Sequence, residues 1–339
     1  MPRRMLAVAA VAHPGGAETT LLRLLGSLRR RGWAVTLTTP GEGLLADLAR
    51  EADLEVVHLP VGPLAGHRWP SPRALASYPR ARHLATARDV VYLNGAVCGR
   101  MLPAIGGARR VLHIHDMVER VSPLWRRADL VLAASQAVAG RLPGLAAEVV
   151  YAPVDPDPPP AVPPWPPEGG PRIGFVGRIE PRKGPLDLVL AAPLIRERIP
   201  DARIIIVGED PYGSDPEYVA QVRSAEAVEH YGWVERADAL MRHLDVLVLP
   251  ARREPFGTVL SEAMAVGTPV VAAPVDGLPE VVQDGVGGVL VEPGDPAALA
   301  AAIVDVLGRH EELSQGARKA AARFHTETYA DRVEALLTR

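Results

Sequence analysis

Two α/β halves, each a doubly wound parallel sheet and together facing a shared cleft, are the fold class this sequence predicts. Three observations carry it. Strands and amphipathic helices alternate along the chain, which argues for parallel sheets with crossover helices. The alternation stops at residues 152–171, where ten of twenty residues are proline, and then restarts. A chain of 339 residues with 48% hydrophobic side chains suits two domains better than one. The predicted organisation is a first domain over 1–151, a linker over 152–171, a second domain over 172–323 and a C-terminal helix over 324–339.

In the first domain the apolar run at 6–12 reads as a strand. A helix over 17–31 follows, since Leu21, Leu24, Leu25 and Leu28 share one face and Gly32 is placed to end it. Further strands are expected at 34–39, 54–59, 90–93, 110–115, 130–133 and 148–151. The proline-rich stretch can form neither helix nor inner strand and reads as a stiff interdomain spacer. Beyond it, strands are expected at 172–176, 203–207, 246–249, 270–273 and 289–291.

Composition excludes several classes. Cys98 is the only cysteine, so no internal disulfide or cysteine metal cluster can form. The N-terminus imitates a secretory signal, but its apolar run is short and leads into Gly15-Gly16-Ala17-Glu18 and a helix, so it reads as the first strand. No apolar run reaches the ~20 residues that span a bilayer. The expected location is cytoplasmic, with at most peripheral association at the inner membrane face. Residues 1–155 carry 19 Lys+Arg against 12 Asp+Glu and the remainder 18 against 28, so the N-terminal half is the basic one. Its basic residues are scattered rather than clustered, and no nucleic-acid motif accompanies them.

Only Lys183 and Lys319 among 37 basic residues are lysine. Lys183 falls in Gly177-Arg178-Ile-Glu-Pro-Arg-Lys183-Gly184, directly after a predicted strand, where a compact ammonium can meet phosphate differently from a guanidinium. Downstream, Glu254-Pro-Phe256-Gly257-Thr258-Val259-Leu-Ser-Glu262 joins two carboxylates to a glycine-preceded helix. Thr258 and Val259 supply backbone N–H groups at that helix N-terminus, where a diphosphate is favoured by hydrogen bonds and by the macrodipole. Carboxylates accept hydroxyl hydrogen bonds well, so Glu254 and Glu262 suit sugar and ribose hydroxyls. Together these features point to a nucleotide sugar.

The chain resembles the retaining glycosyltransferases of family 4 (glycosyl transferases group 1), whose two Rossmann-like domains form the GT-B fold. The resemblance covers nearly the whole length and rests on the Glu-Pro-Phe-Gly…Glu-Ala-Met segment, supported by Gly-Arg…Lys-Gly. It implies catalytic roles for Arg178 and Lys183 on the leaving pyrophosphate, for Glu254 near the transferred sugar and for His115 beside the donor sugar. It implies donor contacts at Gly16, Gly177, Trp233, Phe256, Gly257, Thr258, Val259 and Glu262. Trp233 could equally stack on a base or pack in the core. His113, one strand period from His115, reads as structural. No metal or other cofactor is expected, and Asp155-Pro-Asp157 in the linker is not taken as a metal site. Two departures stand out: Asp276 occupies a position that is glycine in the family pattern, and Tyr151-Ala-Pro-Val-Asp155 replaces a common Asn-Gly-Val-Asp.

The activity implied is transfer of a hexose-type sugar from a UDP, GDP or TDP donor to an acceptor hydroxyl with retention. The acceptor would be a small molecule, a saccharide or a lipid-linked group, met in part by residues 61–88. The alternatives are a non-catalytic nucleotide-sugar-binding protein or partner subunit, and a sugar-nucleotide epimerase of similar fold.

Overall fold

The computed structural model describes residues 2–64, 69–211, 213, 215–234 and 236–339. Residues 65–68 of the expected acceptor segment lie outside them. The chain divides into two compact units, residues 1–153 with 326–339, and residues 154–325. Both are doubly wound α/β units, as the sequence predicts.

In the first unit seven parallel strands, β1 (Arg4–Val8), β2 (Ala34–Thr39), β3 (Glu55–His58), β4 (Val90–Asn94), β5 (Arg109–Ile114), β6 (Leu130–Ala133) and β7 (Ala147–Val149), lie in the order β3-β2-β1-β4-β5-β6-β7. Strand β1 is buried on both faces. Met5 and Ala7 join one core cluster with Leu21, Leu24, Leu25 and Leu28, and Leu6 and Val8 join the other. That is the period-two pattern of an inner parallel strand. β1 ends at Val8, earlier than the expected 12, because the small apolar residues that follow leave the sheet towards Gly15. The helix Gly16–Arg30 stops in a Schellman motif, with Gly32 at φ 89° and Trp33 N–H donating to the Leu28 carbonyl at 3.0 Å.

The helix Thr326–Leu337 belongs to this unit. Tyr329, Val333 and Leu336 enter the same core as Leu21 and Leu25, while Arg31 pairs with Glu327 (2.7 Å), Asp331 (2.6 Å) and Glu334 (3.0 Å).

The second unit holds β8 (Arg172–Val176), β9 (Arg203–Val207), β10 (Glu229–His230), β11 (Val246–Leu249), β12 (Val270–Ala272) and β13 (Gly288–Leu290) in the parallel order β10-β9-β8-β11-β12-β13. The two-residue β10 is too short to show in the sequence pattern. Where a spacer is expected, most of the proline-rich segment packs on this unit. Trp165 is buried and meets Tyr231 edge-on at 5.6 Å, Arg203 donates to the Pro166 and Glu168 carbonyls, and Arg242 to that of Pro158. Among the described residues no helix is long and apolar enough to cross a membrane.

Candidate functional site

Each sheet reverses its winding at one point, between β1 and β4 in the first unit and between β8 and β11 in the second. Ligands of doubly wound sheets bind outside the strand C-termini at such points. Most of the sequence-predicted residues lie in the loops at these two places, whereas Trp233 follows the edge strand β10.

In the second unit β8 leads into Gly177, a single turn Pro181–Lys183 and the helix Pro185–Arg198, while β11 leads into 250–257 and the helix Thr258–Ala265. The two loops are stitched together. Arg252 N–H donates to the Arg182 carbonyl at 2.7 Å, and Arg252 pairs with Asp187 at 3.0 Å. Gly184 adopts φ 71°, and a Cβ there would stand 2.2 Å from the Pro250 carbonyl oxygen, so only glycine permits this approach.

Glu254 sits where the loops meet. Its carboxylate is 3.2 Å from Lys183 Nζ and 3.4 Å from Arg182 Nη1; Arg182 reaches Glu180 at 2.8 Å and Arg178 reaches Glu180 at 3.4 Å. The Lys183 and Glu254 side chains are only 14% and 11% exposed. Burial works to raise the Glu254 carboxyl, and Lys183, Arg182 and Arg178 more than offset it, so it titrates below the usual carboxylate range. The result is an ionised carboxylate surrounded by three cations. Lys183 has three N–H bonds, so it can hold Glu254 and an anionic oxygen together.

The helix Thr258–Ala265 starts beside this cluster from Gly257 at φ 87°, where a Cβ would come within 2.5 Å of Leu278 Cδ2. The first N–H groups of a helix, here at Thr258 and Val259, have no intrahelical acceptor. Glu262 is half-buried on the second turn. Trp233 is 54% exposed in the loop after β10, which excludes the core role. The Phe256 ring is buried edge-on to Phe324 at 5.5 Å, so this side chain braces the loop, and the donor contact expected of Phe256 would fall to its backbone.

Two residues in this cluster carry more than the sequence motifs assign them. Arg182 looks like one more arginine in an arginine-rich chain, yet it donates to the Arg253 carbonyl at 3.0 Å besides pairing with Glu254. Asp276 takes φ 44°, the left-handed region its family position calls for, and its Oδ2 accepts the Glu254 N–H at 3.0 Å. Gly277 N–H in turn donates to the Glu254 carbonyl at 3.1 Å. The departure from glycine thus adds a clamp on the backbone of Glu254.

At the reversal point of the first unit, Gly16 opens the helix that follows β1, and Gly15 N–H donates to Glu18 Oε2 at 3.0 Å. His115 lies just past β5, with Nε2 2.9 Å from Asn94 Oδ1, and its ring centroid is 3.8 Å from that of His113. His113 is fully buried, its Nδ1 2.6 Å from the Tyr92 hydroxyl, in keeping with a structural role. Desolvation holds both imidazoles neutral, that of His115 with a pKa down to about 3. No motif marks Asn94; only its position at the end of β4 does. No group of three His, Cys, Asp or Glu residues among the described residues is arranged to hold a metal ion.

Comparison with known proteins agrees with this architecture. Residues 14–158 match Glycosyltransferase Family 4 and residues 170–309 match Glycosyl transferases group 1. The chain is similar to the D-inositol 3-phosphate glycosyltransferase of Geodermatophilus obscurus, 41% identical over 191 residues, 48% of this chain and 39% of that protein. It is also similar to the glycogen synthase of Mycobacterium tuberculosis, 35% identical over 175 residues, 48% of this chain and 42% of that protein. The chain therefore spans less than half the length of these curated relatives. Among solved structures it is similar to Anabaena HepE in complex with UDP and glucose, with 26% identity and a TM-score of 0.84 over 98% of this chain and 99% of that one. Sucrose-phosphate synthase from Thermosynechococcus elongatus shares the fold, with 23% identity and a TM-score of 0.78 over 99% and 98%. With a family match in each half and two sheets of the same winding, the chain belongs to the glycosyltransferases of family 4, of GT-B type.

Proposed function

We propose that this protein transfers a sugar from a nucleoside diphosphate sugar to an acceptor hydroxyl with retention of anomeric configuration. The observation that carries the reading is the meeting of Arg182 and Lys183 with buried Glu254, with Arg178 alongside through Glu180, next to the N-terminus of the helix Thr258–Ala265. The diphosphate lies against that helix end, and the cations take up the negative charge that grows on it as the bond from the sugar C1 to its phosphate oxygen breaks. Charge developing at preorganised cations is a large source of rate acceleration. The bonding pair leaves with the diphosphate. The acceptor oxygen attacks C1 from the same face, and its proton passes to the departing phosphate oxygen, so no enzyme nucleophile is needed.

Glu254, kept ionised by its cations, orients a sugar hydroxyl; Glu262 holds the ribose, and Trp233 stacks on the base. Anabaena HepE, solved with UDP and glucose, favours a uridine donor as the first to test. The experiment is incubation with UDP-, GDP- and TDP-glucose, following sugar release and its initial anomer by proton NMR. Slow release of the α-anomer from one α-linked donor is expected. Tight binding with no release from any donor, even with candidate acceptors present, would overturn the transferase, and initial β-anomer would overturn retention.

A further inference from the structure

The reversal point of the first unit contains a chain of hydrogen bonds that the transfer chemistry does not by itself require. Glu18 Oε2 accepts from Gly15 N–H at 3.0 Å, and Asn94 Nδ2 lies 3.4 Å from Glu18 Oε1 and 3.3 Å from the Ala17 carbonyl oxygen. On the other side Asn94 Oδ1 lies 2.9 Å from His115 Nε2. Asn94 and Glu18 are buried and His115 is half-buried, so water does not compete for the inner bonds.

The donors and acceptors can be assigned from what each group is able to do. A backbone carbonyl oxygen only accepts, so the Asn94 amide must turn its NH2 towards Ala17, which also sets that NH2 beside Glu18 Oε1. Its oxygen then faces His115, and an accepting oxygen at 2.9 Å calls for hydrogen on Nε2. Desolvation keeps this ring neutral, and a neutral imidazole has one N–H, so Nδ1 carries the lone pair. Among the described residues nothing bonds to Nδ1. The His113 ring, packed against His115 and bonded to Tyr92, restricts a flip of the imidazole.

We propose that Asn94, itself oriented by Glu18, is a positioning residue that locks His115 in the Nε2–H tautomer and presents Nδ1 as a hydrogen-bond acceptor to a substrate hydroxyl. The substrate part of this inference rests on the proposed function; the tautomer does not. A fixed acceptor sets the direction of the hydroxyl proton, and the wrong tautomer would offer an N–H there instead. Asn94 thus acts through His115, not on the substrate.

The test is the long-range proton–nitrogen spectrum of the full chain labelled with 15N-histidine at neutral pH. His115 signals are identified by their loss in His115→Ala, and sugar release from UDP-glucose is measured in parallel. Wild-type protein should show His115 as a single Nε2–H tautomer. Asn94→Ala should show both tautomers in exchange, with kcat/KM for UDP-glucose reduced roughly tenfold, the size of one lost buried hydrogen bond. An Nδ1–H tautomer in the wild type would overturn the proposal, as would a folded Asn94→Ala protein whose His115 stays purely Nε2–H. Should Asn94→Ala not fold, the wild-type spectrum still decides. The spectra report whether or not UDP-glucose turns over, so failure of the donor assignment is separable from failure of the positioning role.

Discussion

The two sheets share the same winding, and their reversal points are built in opposite ways. In the second unit a buried carboxylate lies among Arg178, Arg182 and Lys183, and Glu254 is held ionised. In the first, Glu18, Asn94, His115 and His113 form a largely buried cluster that, among the described residues, is bonded to no cation, and burial raises the Glu18 pKa and lowers those of the histidines. One topology therefore supports two kinds of side-chain cluster: one built of ion pairs and one built of hydrogen bonds among buried groups. The cation cluster also lies in the more acidic half of the chain. Net charge of a segment does not locate a cation cluster; convergence of a few side chains does.

The largest effect should come from breaking the cationic side. Lys183→Ala should lower kcat on UDP-glucose by roughly a hundredfold or more and change donor affinity much less, because the ammonium acts on charge that appears in the transition state. Steady-state kinetics check this, and a pure loss of affinity would refute the leaving-group role.

Glu254→Gln should act differently. Removing the carboxylate takes the partner from the mostly buried Lys183 ammonium while Arg182 keeps Glu180, at a cost of roughly 3 kcal/mol in stability by thermal or denaturant unfolding. The same change should tighten binding of UDP, since the competing carboxylate is gone, while turnover falls. Tighter UDP binding with unchanged turnover would mean that Glu254 only neutralises its neighbours.

Acid should separate the units. Glu254 has a folded-state pKa below its unfolded value of about 4.3, so its contribution is present above that pH and is lost only as pH falls through the lower folded value. His113 and His115 are buried neutral, so the unfolded chain binds protons first, and their part of stability falls as pH drops below about 6.5 and on towards the folded His115 value of about 3. The loss is about 1 kcal/mol per pH unit for each histidine within that window. Hydrogen exchange between pH 6.5 and 4.5 should show protection falling in 90–94 and 109–114 before it falls in 172–176 and 246–249. Simultaneous loss would contradict the electrostatic contrast.

The smallest effect belongs to Asp276. Asp276→Gly relieves the left-handed backbone but removes the acceptor for Glu254 N–H, so stability should change by less than about 1 kcal/mol while kcat falls a fewfold. Asp276→Asn keeps an acceptor oxygen and should restore turnover. Equal losses in both variants would show that the aspartate charge matters, not its bond to Glu254.

Much of this was legible in the sequence because it depends on local pattern. Alternating apolar runs mark the strands that bury both faces, and the Gly-Arg…Lys-Gly and Glu-Pro-Phe-Gly segments sit where β8 and β11 end. What was not legible depends on tertiary placement. Asn94 is an ordinary residue at a strand end until Glu18 and His115, distant in sequence, meet it. Arg182 is hidden by the abundance of arginine. The motif does not say where the Phe256 ring goes, and only its packing on Phe324 does. The prolines of 152–171 exclude regular structure, but the burial of Trp165 that fastens part of them to the second unit is a contact no local pattern announces.

The central claim is that the cation cluster of the second unit receives the donor diphosphate. Thermal unfolding of wild-type protein and of Arg178→Ala/Lys183→Ala, each with and without UDP, tests it most directly, since a ligand that binds the native state raises its stability. The account predicts a clear UDP-dependent rise in Tm for the wild type and little or none for the double variant. No rise in folded wild type with any nucleoside diphosphate, or an equal rise in both proteins, would contradict it.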